Sequence, residues 1–104
     1  MTQLEKDIEA ALRVKIEARG GRCIKWVCPG WAGVPDRIIL LPGGRVIFVE
    51  TKRPKGGKVS PRQRKWAEIL QGLGFDHYFV WTMADVHVLD KIIELQALAN
   101  EPRR

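Results

Sequence analysis

Three charged side chains lie within apolar, strand-like sequence, where a charge normally needs a partner. Asp36 precedes the run RIILL, and Glu50 and Lys52 lie near the end of the run RVIFVETK. Because side chains alternate along a strand, Glu50 and Lys52 share one face, about 7 Å apart. The turn PGG at 42–44 predicts a hairpin that returns Asp36 to their side. The sequence therefore predicts two carboxylates and a lysine at one end of a sheet.

This grouping has a defined chemistry. Two close carboxylates repel each other, and a divalent cation such as Mg²⁺, which favours hard oxygen ligands and phosphate, removes the conflict. The cation can polarise a phosphodiester, and Lys52 can stabilise the developing negative charge. A structural ion pair between Glu50 and Lys52 would explain an E-x-K triplet by itself. The position of Asp36 and the basic loop that follows favour metal-assisted phosphodiester hydrolysis instead.

The charge of the chain predicts a polyanionic partner. The 104 residues carry a formal net charge of +6, which favours nucleic acid. Basic residues cluster in the Gly/Pro-rich loop 53–61 and in the helix after it, an arrangement that suits phosphates. They are Arg53, Lys55, Lys58, Arg62, Arg64 and Lys65, and Lys25 and Arg37 extend the same surface. Phosphate contacts do not read sequence, so we expect selection by shape. A merely solubilising loop is the alternative.

Trp31 lies in the loop CPGWAGVPD, close in sequence to Asp36. It could stack on an unpaired base, pack at a subunit interface or fold onto the core, and the sequence leaves these open. The other tryptophans have the spacing of strand or helix packing.

The elements that position these residues follow from periodicity and capping residues. A first helix is predicted from a Thr2 cap through Leu4, Ile8, Leu12 and Ile16 to the glycines at 20–21. A second begins after Ser60 with Pro61 at its first position and ends near 72–74, and a third opens at Thr82 or Asp85. Strands are predicted at 22–28, 37–41, 45–52 and 77–81.

The order α-β-β-β-α-β-α predicts one α/β domain over residues 1–104, with a frayed basic tail at 100–104. A hairpin meander followed by a helical crossover gives a central mixed sheet flanked by helices on both faces. The near-continuous apolar runs of the hairpin strands predict that they are central and buried on both faces.

Other sites and locations are less favoured. Cys23 and Cys28 would point to opposite faces of a strand, so no disulfide is expected, and His77 and His87 complete no zinc-ligand spacing. No apolar run reaches membrane length, and the N-terminus is charged and amphipathic rather than a signal peptide. A cytoplasmic location without membrane contact is therefore expected.

The segments GVPDR, GGRVIFVETKRP and SPRQRKW resemble the VRR-NUC domain, a branch of the PD-(D/E)XK nuclease superfamily. Pro35 and Asp36 match the PD element, Glu50 to Lys52 match the (D/E)XK element, and Gln63 matches a glutamine typical of VRR-NUC domains. The resemblance covers nearly the whole chain and is to the small stand-alone form found in bacteriophage and bacteria. It implies a restriction-endonuclease-like αβββαβα core.

The resemblance also implies a Mg²⁺- or Mn²⁺-dependent DNA endonuclease. Asp36, Glu50 and the backbone carbonyl of Thr51 would bind the metal, Lys52 would be the catalytic lysine, and Gln63 would order the site or a bound phosphate.

The family places a further glutamate on the first helix near the metal, and this chain offers two. Glu5 lies closer to the apolar face by helical angle. Glu9 has the spacing to Leu12, Ile16 and Gly20 found in archaeal-type junction resolvases. The choice stays open, with a preference for Glu9.

Small VRR-NUC proteins are similar in size and charge to Holliday-junction resolvases. Symmetric cutting of a junction needs two active sites, so a chain with one site is expected to act as a C2 homodimer on branched DNA, in a bacterial or phage-infected cell. Two alternatives remain: a nucleic-acid-binding module that no longer cuts, and a nuclease subunit of a larger DNA-processing complex. The intact Asp36, Glu50 and Lys52 speak against the first.

Overall fold

The computed structural model describes residues 5–99, so the predicted Thr2 cap and Leu4 and the tail at 100–104 lie outside the described residues. The predicted order of elements is confirmed: α1 (Glu5–Ala18), β1 (Arg22–Lys25), β2 (Arg37–Leu41), β3 (Arg45–Thr51), α2 (Pro61–Gly72), β4 (Asp76–Val80) and α3 (Met83–Ala99). Within residues 5–99, no helix has both the length and the apolar character needed to cross a membrane.

The four strands form one mixed sheet in the order β1-β2-β3-β4, with β2 and β3 central as predicted. β1, β2 and β3 are antiparallel, and β4 returns through α2 to lie parallel to β3. The hairpin turns at Gly43 and Gly44, whose φ values of 82° and 78° suit glycine. Its register pairs Arg37 with Val49. The next step of that ladder brings Asp36 alongside Glu50, as the sequence predicts.

The sheet separates two layers of helix. α1 and α3 cover one face, where Ile8, Leu12 and Ile16 recur at helical spacing and are fully buried against the inward residues of the strands. α2 lies on the other face and contacts β4. There, an aromatic series joins Trp26, Phe48 and Phe75, with ring centroids 5.4 Å apart at each step. The predicted coverage of both faces by helices is confirmed.

Two details of the predicted strands are wrong. β1 ends at Lys25 rather than at residue 28, because β2 begins only at Arg37. The Trp26 N–H still donates to the Asp36 carbonyl at 2.8 Å, so one hydrogen bond continues the pairing beyond the end of β1. β2 is also not buried on both faces: Leu40 is 41% exposed. α2 lies over β4, so it does not cover the part of this sheet face that β2 forms.

Local capping agrees with the sequence. Ser60 and Gln63 form a capping box at α2, with Pro61 in its first turn. At α3, Thr82 and Asp85 act together: each backbone N–H donates to the other's side chain at 3.1 Å. Both alternatives for this helix start therefore take part. Cys23 and Cys28 are free thiols, as predicted.

Candidate active site

The candidate site surrounds the end of β3, where consecutive side chains point to opposite faces of the sheet. Thr51 points to the α1 layer and hydrogen-bonds residues of that helix. Glu50 and Lys52 point to the α2 layer and contact Gln63. One three-residue segment thus connects two polar groups, one on each side of the sheet.

On the α1 side, three carboxylates meet at one hydroxyl. Thr51 Oγ1 lies 2.5 Å from Asp36 Oδ2, 2.9 Å from Glu9 Oε1 and 3.3 Å from Glu5 Oε1. The Thr51 N–H also donates to Asp36 Oδ1 at 3.1 Å. Glu5, Glu9 and Asp36 each offer an oxygen, and these oxygens lie within 4.8 Å of one another. Because a hydroxyl has one proton, it cannot neutralise three carboxylates, so the cluster suits a cation.

Both candidate glutamates of α1 reach this cluster, but their surroundings differ. Glu9 accepts a hydrogen bond from the Arg37 guanidinium at 2.8 Å and forms an ion pair with it. Glu5 instead lines the main cleft together with Glu50 and Lys52. Glu9 is therefore already partly neutralised, whereas Glu5 faces the cleft that Lys52 also lines.

On the α2 side, Gln63 joins three partners. Its Oε1 accepts from Lys52 Nζ at 2.5 Å and from the Ser60 N–H at 3.0 Å, and its Nε2 donates to Glu50 Oε1 at 3.1 Å. Two donors at one end and a carboxylate at the other determine the orientation of the amide. The residue that caps α2 thus also sets the positions of Glu50 and Lys52.

Burial makes the electrostatics of the site unusual. Burial and the negative charge of Asp36 raise the pKa of Glu50 to about 7, although Lys52, 3.8 Å away, opposes the shift. Burial also raises the pKa of Asp36, against the hydrogen bonds from Thr51. Burial acts on Glu9 in the same direction, but the hydrogen bonds from Arg37 and Thr51 outweigh it and lower the pKa of this carboxyl.

The donor set fits a hard divalent cation. Glu50 Oε2 is buried and has no hydrogen-bond partner among the described residues, a costly state for a carboxylate oxygen. The negative charges of Asp36 and Glu5 act on the Glu50 carboxyl, and all of the candidate ligand atoms are oxygens. Mg²⁺ and Mn²⁺ prefer such ligands. A cation here would supply the missing partner and offset the burial and the negative charge of Asp36 that raise the pKa of Glu50.

The main cleft, of about 410 Å³, opens from Glu50 and Lys52 toward the basic loop. Arg53 and Lys58 line it, and their side chains are exposed. The remaining predicted basic residues are exposed but do not line this cleft; they are Lys25, Lys55, Arg62, Arg64 and Lys65. The Arg37 side chain is only 19% exposed and pairs with Glu9.

Trp31 is 62% exposed and meets Trp66 edge-on, with centroids 5.9 Å apart. Its loop touches the start of α2 at Gly33, where an added Cβ would lie 2.6 Å from the backbone and Cβ of Arg62. Trp31 is therefore not buried in the core. It lies beside α2, the helix that also carries Gln63.

Two features of the site were not predicted from sequence. The predicted metal set includes only the carbonyl of Thr51 and not its hydroxyl, although strand alternation alone directs this hydroxyl away from Glu50 and towards α1. The contact of Trp31 with Trp66 joins a loop to a helix and leaves no local pattern in the sequence.

Comparison with known proteins identifies the family of this chain. Residues 3–82 match the model of the VRR-NUC domain. "Putative nuclease p44" of Acyrthosiphon pisum secondary endosymbiont phage 1 is 44% identical over 70 residues, which are 67% of this chain and 74% of that protein. A solved VRR-NUC domain structure superposes with a TM-score of 0.76 at 31% identity, over 86% of this chain and 94% of that one. The chain therefore belongs to the VRR-NUC family of nucleases.

Proposed function

We propose that this protein is a metal-dependent, structure-selective DNA endonuclease that acts on branched DNA in the manner of a Holliday-junction resolvase. The observation that carries the proposal is the buried, unpartnered Glu50 Oε2, which lies close to Asp36 and in the same cleft as Lys52. The Lys52 ammonium lies 3.8 Å from Glu50 Oε1, so this ion pair does not satisfy the buried Oε2. A site that binds a cation and a phosphate needs such an oxygen.

In this proposal, Asp36, Glu50 and the Thr51 carbonyl hold Mg²⁺ or Mn²⁺, with Glu5 or Glu9 completing the set. When bound, the cation supplies Lewis acidity towards the phosphate and activates water for attack. Thr51 keeps Asp36 in position through its N–H and its hydroxyl. The carboxylates thus supply negative charge where the cation binds. The hydrogen bonds from Thr51 keep the Asp36 carboxylate there and prevent it from pairing with Lys52.

Lys52 is the proposed catalytic lysine. Its side chain is 11% exposed, and Gln63 Oε1 holds its ammonium group 2.5 Å away. In this position the ammonium can stabilise charge that develops on the phosphate or orient the attacking water. Gln63 is a positioning residue: it keeps the lysine from closing further on Glu50, from which it is 3.8 Å distant.

The proposed substrate is DNA, held by its phosphates. Arg53 and Lys58 line the cleft beside the site, and further cations follow along the loop and on α2. The exposed Trp31 is suited to stacking on a base that a branch point has left unpaired. Neither kind of contact reads a base sequence, which supports selection by DNA shape.

Cutting both strands of a junction needs two sites, so we propose that the protein acts as a C2 homodimer. Apolar side chains on the uncovered part of the sheet support this view, since Ile24 is 44% and Leu40 is 41% exposed on adjacent strands. A second copy of the chain would bury them.

The test is cleavage of end-labelled four-way junction, replication fork, flap and linear duplex in Mg²⁺, Mn²⁺ or EDTA. Lys52→Ala is compared with Lys15→Ala, a substitution of a lysine near the opposite end of α1. Paired symmetric cuts in the junction, lost in EDTA and in Lys52→Ala but kept in Lys15→Ala, are expected. Cuts confined to forks or flaps would change the proposed substrate. Tight junction binding without cleavage in any metal would refute hydrolysis and favour the binding module or a partner-dependent subunit.

A further inference from the structure

A second, smaller cleft of about 130 Å³ lies between α1 and the start of β2, and it shares no lining residue with the main cleft. Its lining consists of Lys6, Glu9, Ala10, Arg13 and Arg37. The α1 members recur at intervals of three or four residues, so they share one helical face. Three cations and one carboxylate therefore line a space that would hold about four water molecules, which is similar in size to one phosphate group.

Arg37 is not fully partnered in this cleft. One terminal nitrogen donates to Glu9 Oε2 at 2.8 Å, but its Nε is buried and finds no acceptor within residues 5–99. A guanidinium has five donors in a planar fork, and one monodentate contact uses few of them. Lys6 and Arg13 are exposed above it and add like charge. Such a group of cations is stabilised by an added anion with several acceptor oxygens.

The position of this cleft gives the anion a role. Glu9 lines it and at the same time contacts Thr51 in the carboxylate cluster. Arg53 and Lys58 line the main cleft, which Glu5 of the same cluster also borders. The carboxylates thus lie between two basic clefts. A nucleic-acid strand crossing the cluster would place phosphates in both.

We propose that Lys6, Arg13 and Arg37 form a second phosphate subsite, which holds a backbone phosphate of the nucleic acid on the side of the carboxylates opposite the loop 53–61. The inference rests on the proposed function, because it takes its ligand from the same DNA strand. Its ligand is a phosphodiester, so the subsite adds affinity without sequence preference. With the basic loop, it holds the strand at two points and directs the phosphate between them to the cation.

The experiment compares two doubly substituted proteins with the same net charge. Lys6→Ala/Arg13→Ala removes two exposed cations of the subsite. Lys15→Ala/Lys91→Ala removes two cations from α1 and α3 that do not line the small cleft. Each pair is placed in the Lys52→Ala background, so that DNA stays uncut in Mg²⁺. Binding of labelled duplex and four-way junction is measured by fluorescence anisotropy over a range of salt concentrations, with circular dichroism as the check on folding.

The subsite pair should lower the slope of log Kd against log salt by about 1 to 2 relative to the control pair, since each lost phosphate contact removes about 0.9. The loss should be the same for DNA of different sequences. Equal slopes and affinities for the two pairs, or no DNA binding by the Lys52→Ala background, would overturn the subsite. The proposed function is judged separately, by cleavage with the unsubstituted chain. If the unsubstituted chain cleaves DNA and the two variant pairs have equal salt slopes, only the subsite is rejected. If the slopes differ but the unsubstituted chain does not cleave, only hydrolysis is rejected.

Discussion

Glu50→Gln should make the metal-free protein more stable at high pH and inactive at every pH. Burial and the charge of Asp36 raise the pKa of Glu50 to about 7 from its ordinary value of 4.5. Between pH 4.5 and pH 7, Glu50 therefore keeps its proton in the folded chain but loses it in the unfolded chain. The stability from this protonated carboxyl is fully present below pH 4.5 and is lost as the pH rises through 7.

The size of this effect follows from the same values. At about 1.4 kcal/mol per pH unit, ionised Glu50 lowers the free energy of unfolding by roughly 3 kcal/mol above pH 7. The glutamine can still accept from Gln63, but its amide nitrogen would replace the unpartnered Oε2 at a cost of about 1–3 kcal/mol. This cost is the same at all pH values. The difference in stability between variant and wild type should therefore move by about 2.5 kcal/mol in favour of the variant between pH 5 and pH 8.

The assay is urea denaturation in EDTA at pH 5 and pH 8, with the m-value as the check that the extent of unfolding is unchanged. Glu68→Gln, which changes an exposed glutamate of α2, is the matched control and should show no such movement. Mg²⁺ at pH 8 should stabilise the wild type and leave Glu50→Gln almost unaffected. A stability difference that is equal at both pH values would refute the reasoning. It would mean that Glu50 is not held in a desolvated, negatively charged site.

Three further substitutions test individual contacts. Glu5→Gln should weaken Mg²⁺ binding about tenfold more than Glu9→Gln, because an arginine already neutralises Glu9. Calorimetric titration of each variant with Mg²⁺ measures this difference. The opposite ranking would assign the metal to Glu9. Thr51→Val should lower the metal-free free energy of unfolding by about 2 kcal/mol, because the carboxylates lose their shared donor. In urea denaturation this loss should shrink when Mg²⁺ is added, and an undiminished loss would contradict the role of the hydroxyl. Gly33→Ala should cost about 2–3 kcal/mol more than Gly30→Ala. Both glycines have positive φ, but only at Gly33 would the new Cβ meet the backbone of α2; equal shifts in melting temperature would show that this contact is not close.

Much of the fold could be predicted because its determinants are local. Alternation along β3 separates Glu50 and Lys52 from Thr51, and the glycine turn determines how the hairpin folds back. Capping residues locate the start of α2. The predicted end of β1 was wrong because the length of a strand depends on its partner as well as on its own sequence. Here β1 ends at Lys25, which pairs with the first residue of β2.

The sequence by itself determined that Asp36, Glu50 and Lys52 lie at the same end of the sheet, because backbone alternation and hairpin closure are short-range constraints. Only the tertiary structure decided that α1 brings both its glutamates to Thr51, and that Gln63 joins Lys52 to Glu50. Those contacts depend on how each helix is rotated and shifted over the sheet. Packing of the whole core sets this rotation, and no local pattern of residues specifies it.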